Sequence, residues 1–383
     1  MKVIYMDNAA TSFPKPKAVV NEIKKCIKNY CANPGRSSHY MAIKSSQAVM
    51  NTRIKLAEMF NAPNPMNVIF TANATHALNY VIKGIIKTGQ HVITTCMEHN
   101  SVLRPLNFLK TKSDIEFDIV KCDERGVLDP QDIKNEIKGN TSLIVCTYSS
   151  NVNGIILPVN EIGRIANENG IKFLLDASQG AGCFNINMEE IKADFIVMPG
   201  HKGLMGPQGT GVLIVRDATQ IDTIVEGGTG SVSASMYQPD VLPDKFESGT
   251  LNVPGIVGLG AGIDYINNVG MDNIQLHKMH ICAALIGGLS SIKGVQLYSY
   301  NAHNNSGIVG MNIRNMDSSE VSGLLNDKFG IATRPGLHCA PEAHKALCTI
   351  DTGIVRISPG WFNTNTEVEK VLHAVELIVR KKI

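Results

Sequence analysis

Short apolar runs alternate with amphipathic stretches along the first two thirds of the chain. NVIFTA (67–72), HVITTCM (91–97), SLIVCTYSS (142–150), KFLLDAS (172–178), DFIVMPG (194–200) and GVLIVR (211–216) are short and apolar, which predicts buried strands. Helical spacing marks the segments around them. Val20, Ile23 and Ile27 follow Pro14 and Pro16; Met50, Ile54, Ala57 and Phe60 fall on one face. ATHALNYVIKGI (74–85) and VNEIGRIANENG (159–170) read as helices, the second closed by Gly170. Apolar strands alternating with helices predict an α/β fold with a mainly parallel sheet covered on both faces. Functional groups then belong at the carboxyl ends of the strands, where the loops open into a crevice. Past Pro254 the pattern changes to a glycine-rich helix (255–268), mixed short elements, and a last helix striped by Val368, Val371, Leu372, Val375 and Val379. That region predicts a second, smaller domain.

Composition narrows the function. The chain has 383 residues, 44% of them hydrophobic and 18% charged, and a net charge of +2 without long like-charge runs. Nothing there supports nucleic-acid binding or attachment to a membrane surface. No apolar run approaches a membrane span, and Asp7 interrupts the N-terminus where a signal peptide needs an apolar core. The nine cysteines are scattered without a CxxC pair, which predicts reduced, mostly buried thiols in a cytoplasmic protein.

Five segments carry candidate chemistry. In MPGHKGLMGPQGTG (198–211), Lys202 follows a strand on a glycine-rich loop. Spacing serves equally a solvated turn lysine and an amine held to react with a carbonyl. In FLLDASQGAG (173–182), Asp176 ends an apolar strand, a place for a helix cap or for an anionic partner of a protonated ring nitrogen; Gln179 lies beside it. In FTANATHALNY (70–80), a polar turn opens a helix, either as a plain cap or as a phosphate cradle. His99 follows the strand 91–97 and suits either a structural role or stacking and proton transfer. RPGLHCAPEAH (334–344) sets Cys339 on a loop between Gly336 and Pro341, as a structural thiol or as a mobile nucleophile whose thiolate His338 favours. The spacing of His338, Cys339, His344 and Cys348 matches no usual zinc pattern, so no metal is expected.

Taken in order, the segments resemble the pyridoxal-phosphate-dependent cysteine desulfurases and selenocysteine lyases of the class V aminotransferase-like group. The resemblance rests on YMDNAATSFPKP (5–16), NPGRSSH (33–39), EHNS (98–101), SSNVNG (149–154), LLDASQGAG (174–182), PGHKG (199–203), FESGTLN (246–252) and RPGLHCA (334–340). It implies an aspartate aminotransferase-like fold of type I. A large domain at 14–254 would bind pyridoxal 5'-phosphate; 1–13 and 255–383 would form a small domain carrying the cysteine loop. Lys202 would hold the cofactor covalently, Asp176 would pair with its ring nitrogen, Gln179 would face the ring oxygen, and His99 would stack on the ring. Ala74, Thr75 and His201 would hold the phosphate, and Thr250 would reach it from the partner subunit of a homodimer. Asn151 and Arg356 would hold the substrate carboxylate. Cys339 would take sulfur from L-cysteine as a persulfide, release L-alanine, and pass the sulfur to an acceptor protein. Lys202, Cys339 and His99 are thus the implied catalytic groups.

Two departures stand out: Pro199 replaces a serine of many relatives, and Ala72, Asn73 and Ala74 replace an Arg-Gly-Thr turn. The chain starts directly at the YMDNAAT segment, without the longer leader of some relatives. The alternatives are a selenocysteine lyase acting on L-selenocysteine, or an aminotransferase or other lyase in which Cys339 is incidental.

Overall fold

The computed structural model describes residues 3–381 apart from Arg36 and Gln220, so the arginine of the NPGRSSH segment lies outside the described residues. Strands are numbered in chain order: β1 (Ile4–Tyr5), β2 (Val68–Thr71), β3 (His91–Thr95), β4 (Glu116–Val120), β5 (Thr141–Thr147), β6 (Lys172–Asp176), β7 (Phe195–Pro199), β8 (Gly211–Val215), β9 (Val295–Leu297), β10 (Val309–Ile313), β11 (Ile331–Ala332) and β12 (Val355–Ile357). Strands β2 to β8 form one sheet of order β2-β8-β7-β6-β5-β3-β4. Only β8 runs against its neighbours; β7, β6, β5, β3 and β4 are paired in parallel.

Both faces of this sheet are buried, which explains the continuous apolar runs. Ile93, Ile144, Phe173, Leu175 and Ile196 join the core on one face. Their alternating neighbours Val92, Leu143, Val145, Leu174 and Val197 join the core on the other. Each such side chain, wholly withdrawn from water, contributes roughly 1.5–3 kcal/mol. The helix Ala74–Ile85 spans the range read from the sequence, capped by Asn73, whose side chain accepts the His76 amide at 2.9 Å.

Two elements escaped the pattern. The edge strand β4 is partly exposed and carries Glu116 and Asp118, with Lys138 bridging to both, so its sequence is not continuously apolar. The helix Asn100–Lys112 holds Pro105 in its interior, a residue that reads as a breaker. The first helix, Lys17–Asn29, forms as expected but buries Val19 and Cys26, while Val20 and Ile27 are exposed.

The helix Val253–Val269 packs across Lys17–Asn29 and Tyr40–Phe60, and its buried side chains share the core of the large sheet. Beyond it, β9, β10 and β12 make an antiparallel sheet, and β1 pairs with β11. These strands and the helices Met271–Ser290, Ser318–Phe329 and Asn365–Val379 enclose a separate core around Met6, Leu285, Met311, Leu325, Val355 and Val371. Among the described residues no helix is long and apolar enough to cross a membrane.

One buried ion pair ties the layers together. Arg53, from the second helix, pairs with Glu247, whose Oε1 accepts the Phe70 amide of β2 at 2.6 Å. The Arg53 guanidinium also lies 4.7 Å from the Phe70 ring centroid. Removing one partner leaves a charge without water or counter-ion. Arg53→Met is therefore expected to cost about 3–5 kcal/mol in urea denaturation, and Arg53→Met with Glu247→Leu to recover most of that loss. Equal loss in both variants would show that the pair carries no such interaction.

Candidate active site

The carboxyl ends of β2, β3, β5, β6 and β7 converge on a cavity of about 780 Å³ (open mouth included), lined as well by Arg334 and His338 of the cysteine loop and Arg356 of β12. The chain leaves β3 for the edge strand β4 and returns on the other side of β3 as β5, so the crevice opens where the winding direction reverses.

Two loops set the floor. One follows β6 and carries Asp176 and Gln179; the other follows β7 and carries His201 and Lys202. They pack backbone to backbone: a Cβ on Gly203 would lie 2.2 Å from the Ala181 carbonyl oxygen, and one on Gly182 would lie 2.5 Å from Gly203. Asp176 is 2% exposed, and its Oδ1 accepts the Ser178 amide at 2.9 Å, so it caps the turn while its side chain faces the cavity. Gln179 donates to the Ala9 carbonyl at 3.1 Å.

The amine of Lys202 lies deep in this floor. Burial lowers its pKa to about 8, against the pull of Asp176 and with help from Arg356 and Arg334. A lysine titrating there keeps a substantial neutral fraction at physiological pH, which a nucleophilic amine needs.

His99 caps the helix Asn100–Lys112. Its Nδ1 accepts the Ser101 amide at 3.1 Å, and burial followed by the Lys202 charge lowers its pKa to about 4. The ring is neutral, and with Nδ1 accepting, the proton resides on Nε2. Just before it, Glu98 is wholly buried; its Oε1 accepts from Thr95 Oγ1 at 2.7 Å and the Thr147 amide at 2.9 Å, and burial raises its pKa to about 8.

Arg356 is 1% exposed. Its Nη2 pairs with Asp7 at 2.7 Å and its Nη1 donates to the Asn151 carbonyl at 2.9 Å. Asn151 spends one side-chain N–H on the His338 carbonyl at 2.7 Å. Two buried nitrogens of the wall, Arg356 Nε and His201 Nδ1, have no hydrogen-bond partner among the described residues. The unmatched Arg356 Nε–H and the helix start at Ala74 and Thr75 offer the cavity donors that an anionic ligand fits.

The cysteine loop differs from its expected character. Cys339 is exposed, but its carbonyl accepts the Asn100 amide at 2.7 Å, fixing the thiol's backbone to the helix that His99 caps. His338 does not favour the thiolate. Burial lowers its pKa to about 3, and its ring turns inward: Nε2–H donates to the Arg334 carbonyl at 3.0 Å. Its Nδ1 must then accept, from His344 Nε2–H at 3.4 Å, and His344 Nδ1 in turn accepts from Thr349 Oγ1 at 2.8 Å.

The fold thus brings Ala74, Thr75, His99, Asn151, Asp176, Gln179, His201, Lys202 and Arg356 onto one cavity. Thr250 is exposed and outside its lining, as Cys339 is. The sequence reading passed over Arg334 and Glu98. Arg334 begins the quoted RPGLHCA segment, and Glu98 directly follows an apolar strand, the same desolvation signal that pointed to Asp176.

Three comparisons place this geometry. The aminotransferase class-V family pattern matches residues 4–371. The chain is 37% identical over 381 residues to a probable cysteine desulfurase of Methanothermobacter thermautotrophicus, covering 98% of this chain and 94% of that one. It is 33% identical over 386 residues to another of Pyrococcus abyssi, covering 99% and 95%. Among solved structures, the apo cysteine desulfurase of Thermococcus onnurineus superposes with a TM-score of 0.93 at 34% identity, over 99% of this chain and 95% of that one. The S-sulfonic acid form of an Escherichia coli cysteine desulfurase shares the fold, with a TM-score of 0.90 at 24% identity over 99% and 95%. These relatives have the type I fold of pyridoxal-phosphate-dependent enzymes, and the chain belongs to the aminotransferase class-V family.

Proposed function

We propose that the protein is a cysteine desulfurase that converts L-cysteine to L-alanine and a Cys339 persulfide, working as a cytoplasmic homodimer. The observation that carries this reading is the exposed thiol of Cys339, joined through its own carbonyl to the start of the helix capped by His99. That contact sets a thiol at the rim of a lysine-bearing, donor-rich cavity.

Pyridoxal phosphate, when bound, supplies the electron sink for bond changes beside the substrate amino group. The Ala74–Thr75 helix start and His201 would hold its phosphate, with Thr250 of the partner subunit joining them. Asp176 would hold its ring nitrogen, Gln179 its ring oxygen and His99 its ring, and the Lys202 amine would carry it covalently. Pro199 offers neither a hydroxyl nor an N–H, so the phosphate depends more on the helix start.

Arg356 and Asn151 hold the substrate carboxylate, with Arg334 adding charge on the same wall. Lys202 Nζ takes the proton from the carbon bearing the amino group. The Cys339 thiolate attacks the sulfur of L-cysteine, and the carbon–sulfur bond breaks. Its electron pair stays with the substrate remainder, which takes up a proton at the carbon that carried sulfur, recovers at the amino-bearing carbon the proton held by Lys202 Nζ, and leaves as L-alanine. Cys339 keeps the sulfur as a persulfide, and its exposure lets the thiol of an acceptor protein collect it.

Cys339→Ala is expected to lower sulfide and alanine release from L-cysteine by at least a hundredfold while the cofactor absorbance is retained. Unchanged release would remove the assignment. Faster turnover of L-selenocysteine, insensitive to Cys339→Ala, would make the enzyme a selenocysteine lyase, and ketoacid-dependent amino transfer without sulfur release would make it a transaminase.

Lys202 gives a second expectation. Below about pH 8 its amine is protonated and cannot bond an aldehyde; above that it is neutral. Uptake of pyridoxal phosphate by the apoprotein, followed by absorbance, should quicken about tenfold per pH unit and level off above pH 8. A rise continuing toward about pH 10.4, the range of an ordinary lysine, would exclude the perturbed amine, and Lys202→Ala should bind no cofactor covalently.

A further inference from the structure

Cys96 and Cys122 lie just past the ends of the paired strands β3 and β4, where the Cys96 amide still donates to the Val120 carbonyl at 2.9 Å. There the ladder changes: the Cys122 amide donates not to a carbonyl but to Cys96 Sγ, at 3.2 Å. Cys96 is 4% exposed, and Cys122 is half-buried and opens the pair toward the surface. A third thiol, Cys146, is wholly buried behind them. The register puts Cys96 level with Lys121, so Cys122 is one residue further along, with its amide already against Cys96 Sγ.

The environment divides the roles of the two sulfurs. The Cys122 thiol and backbone amides favour the thiolate of Cys96, and the Cys122 thiol is pushed up by that negative charge and by burial. None of the proposed chemistry at Lys202 or Cys339 uses either residue. We propose that Cys96 and Cys122 form a redox-active dithiol that closes to an intramolecular disulfide by exchange with low-molecular-weight disulfides.

The exchange balances in two steps. The Cys96 thiolate attacks one sulfur of RSSR, forming a mixed disulfide and expelling RS⁻. With the charge on Cys96 gone, Cys122 gives up its proton, and its thiolate attacks the Cys96 sulfur. The protein disulfide forms and a second RS⁻ leaves, so two electrons and two protons pass from the protein to two molecules of RSH. Such pairs in reducing compartments are transient and sensing rather than structural.

The test uses the full chain carrying Cys339→Ser, which removes the exposed loop thiol, and bis(2-hydroxyethyl) disulfide as the oxidant. After quenching with iodoacetamide under denaturing conditions, peptide mapping should show Cys96 linked to Cys122, the link lost on reduction. Adding Cys122→Ser should trap the hydroxyethylthio adduct on Cys96. The proposal is overturned if both cysteines are recovered alkylated, if the link forms to Cys146 or another thiol, or if the Cys122→Ser protein carries no adduct on Cys96. These outcomes do not depend on whether the chain desulfurates cysteine.

Discussion

Excess positive charge under burial is the constraint around which this molecule is arranged. Lys202 in the floor and Arg334 and Arg356 in the wall line one cavity, and the carboxylates acting on them are Asp176 and Asp7. Even at an effective dielectric constant near 20, two like charges 4 Å apart repel by about 4 kcal/mol. The protein answers in two ways. It lets Lys202 shed its proton readily, and it engages Arg356 with Asp7 and the Asn151 carbonyl while Nε stays unmatched. What remains is a demand for anions, and both a phosphate and an amino-acid carboxylate supply them. An anion bound there would offset repulsion that folding leaves in place.

Such a charge arrangement survives only on a rigid frame. The parallel sheet provides it by burying both faces, which fixes the strand ends against each other. The glycines at 182 and 203 then let the Asp176 and Lys202 loops meet without intervening side chains. The helix Val253–Val269 closes over the second loop in the same manner: a Cβ on Gly262 would stand 2.4 Å from the Leu204 carbonyl oxygen. The backbone that carries Lys202 is therefore held by packing on two sides.

Legibility in the sequence followed this division. Strands buried on both faces announce themselves as apolar runs, and the helix Ala74–Ile85 announces itself by its spacing and cap. The edge strand β4 and the Pro105 helix do not, since one alternates charge with apolar residues and the other breaks a local rule that tertiary packing overrides. Within the site, residues directly after apolar strands were readable because a polar group there demands a reason. The ring state of His338 was not readable. It depends on the carbonyl of Arg334 and on His344, whose orientation only the folded loop reveals. Nor was the Cys96–Cys122 contact, which joins positions brought together by a strand pairing that the sequence left unseen.

The cysteine loop shows how a short segment presents a thiol without free motion. His338 and Cys339 adopt successive left-handed conformations, with φ of 50° and 58°, which side chains other than glycine and asparagine rarely accept. Such conformations cost on the order of 1–3 kcal/mol each and persist only when their surroundings hold them. Here the Asn151 amide holds the carbonyl of the first, the Asn100 amide holds that of the second, and the imidazole chain from Arg334 to Thr349 locks the ring between. The thiol is exposed while the His338 ring and the carbonyls of both residues are tied inward. A loop tied at both carbonyls has little reach, so a group that meets this thiol has to be brought to it, and the charge that Arg356 and Arg334 give the cavity wall beside it bears on what can be brought.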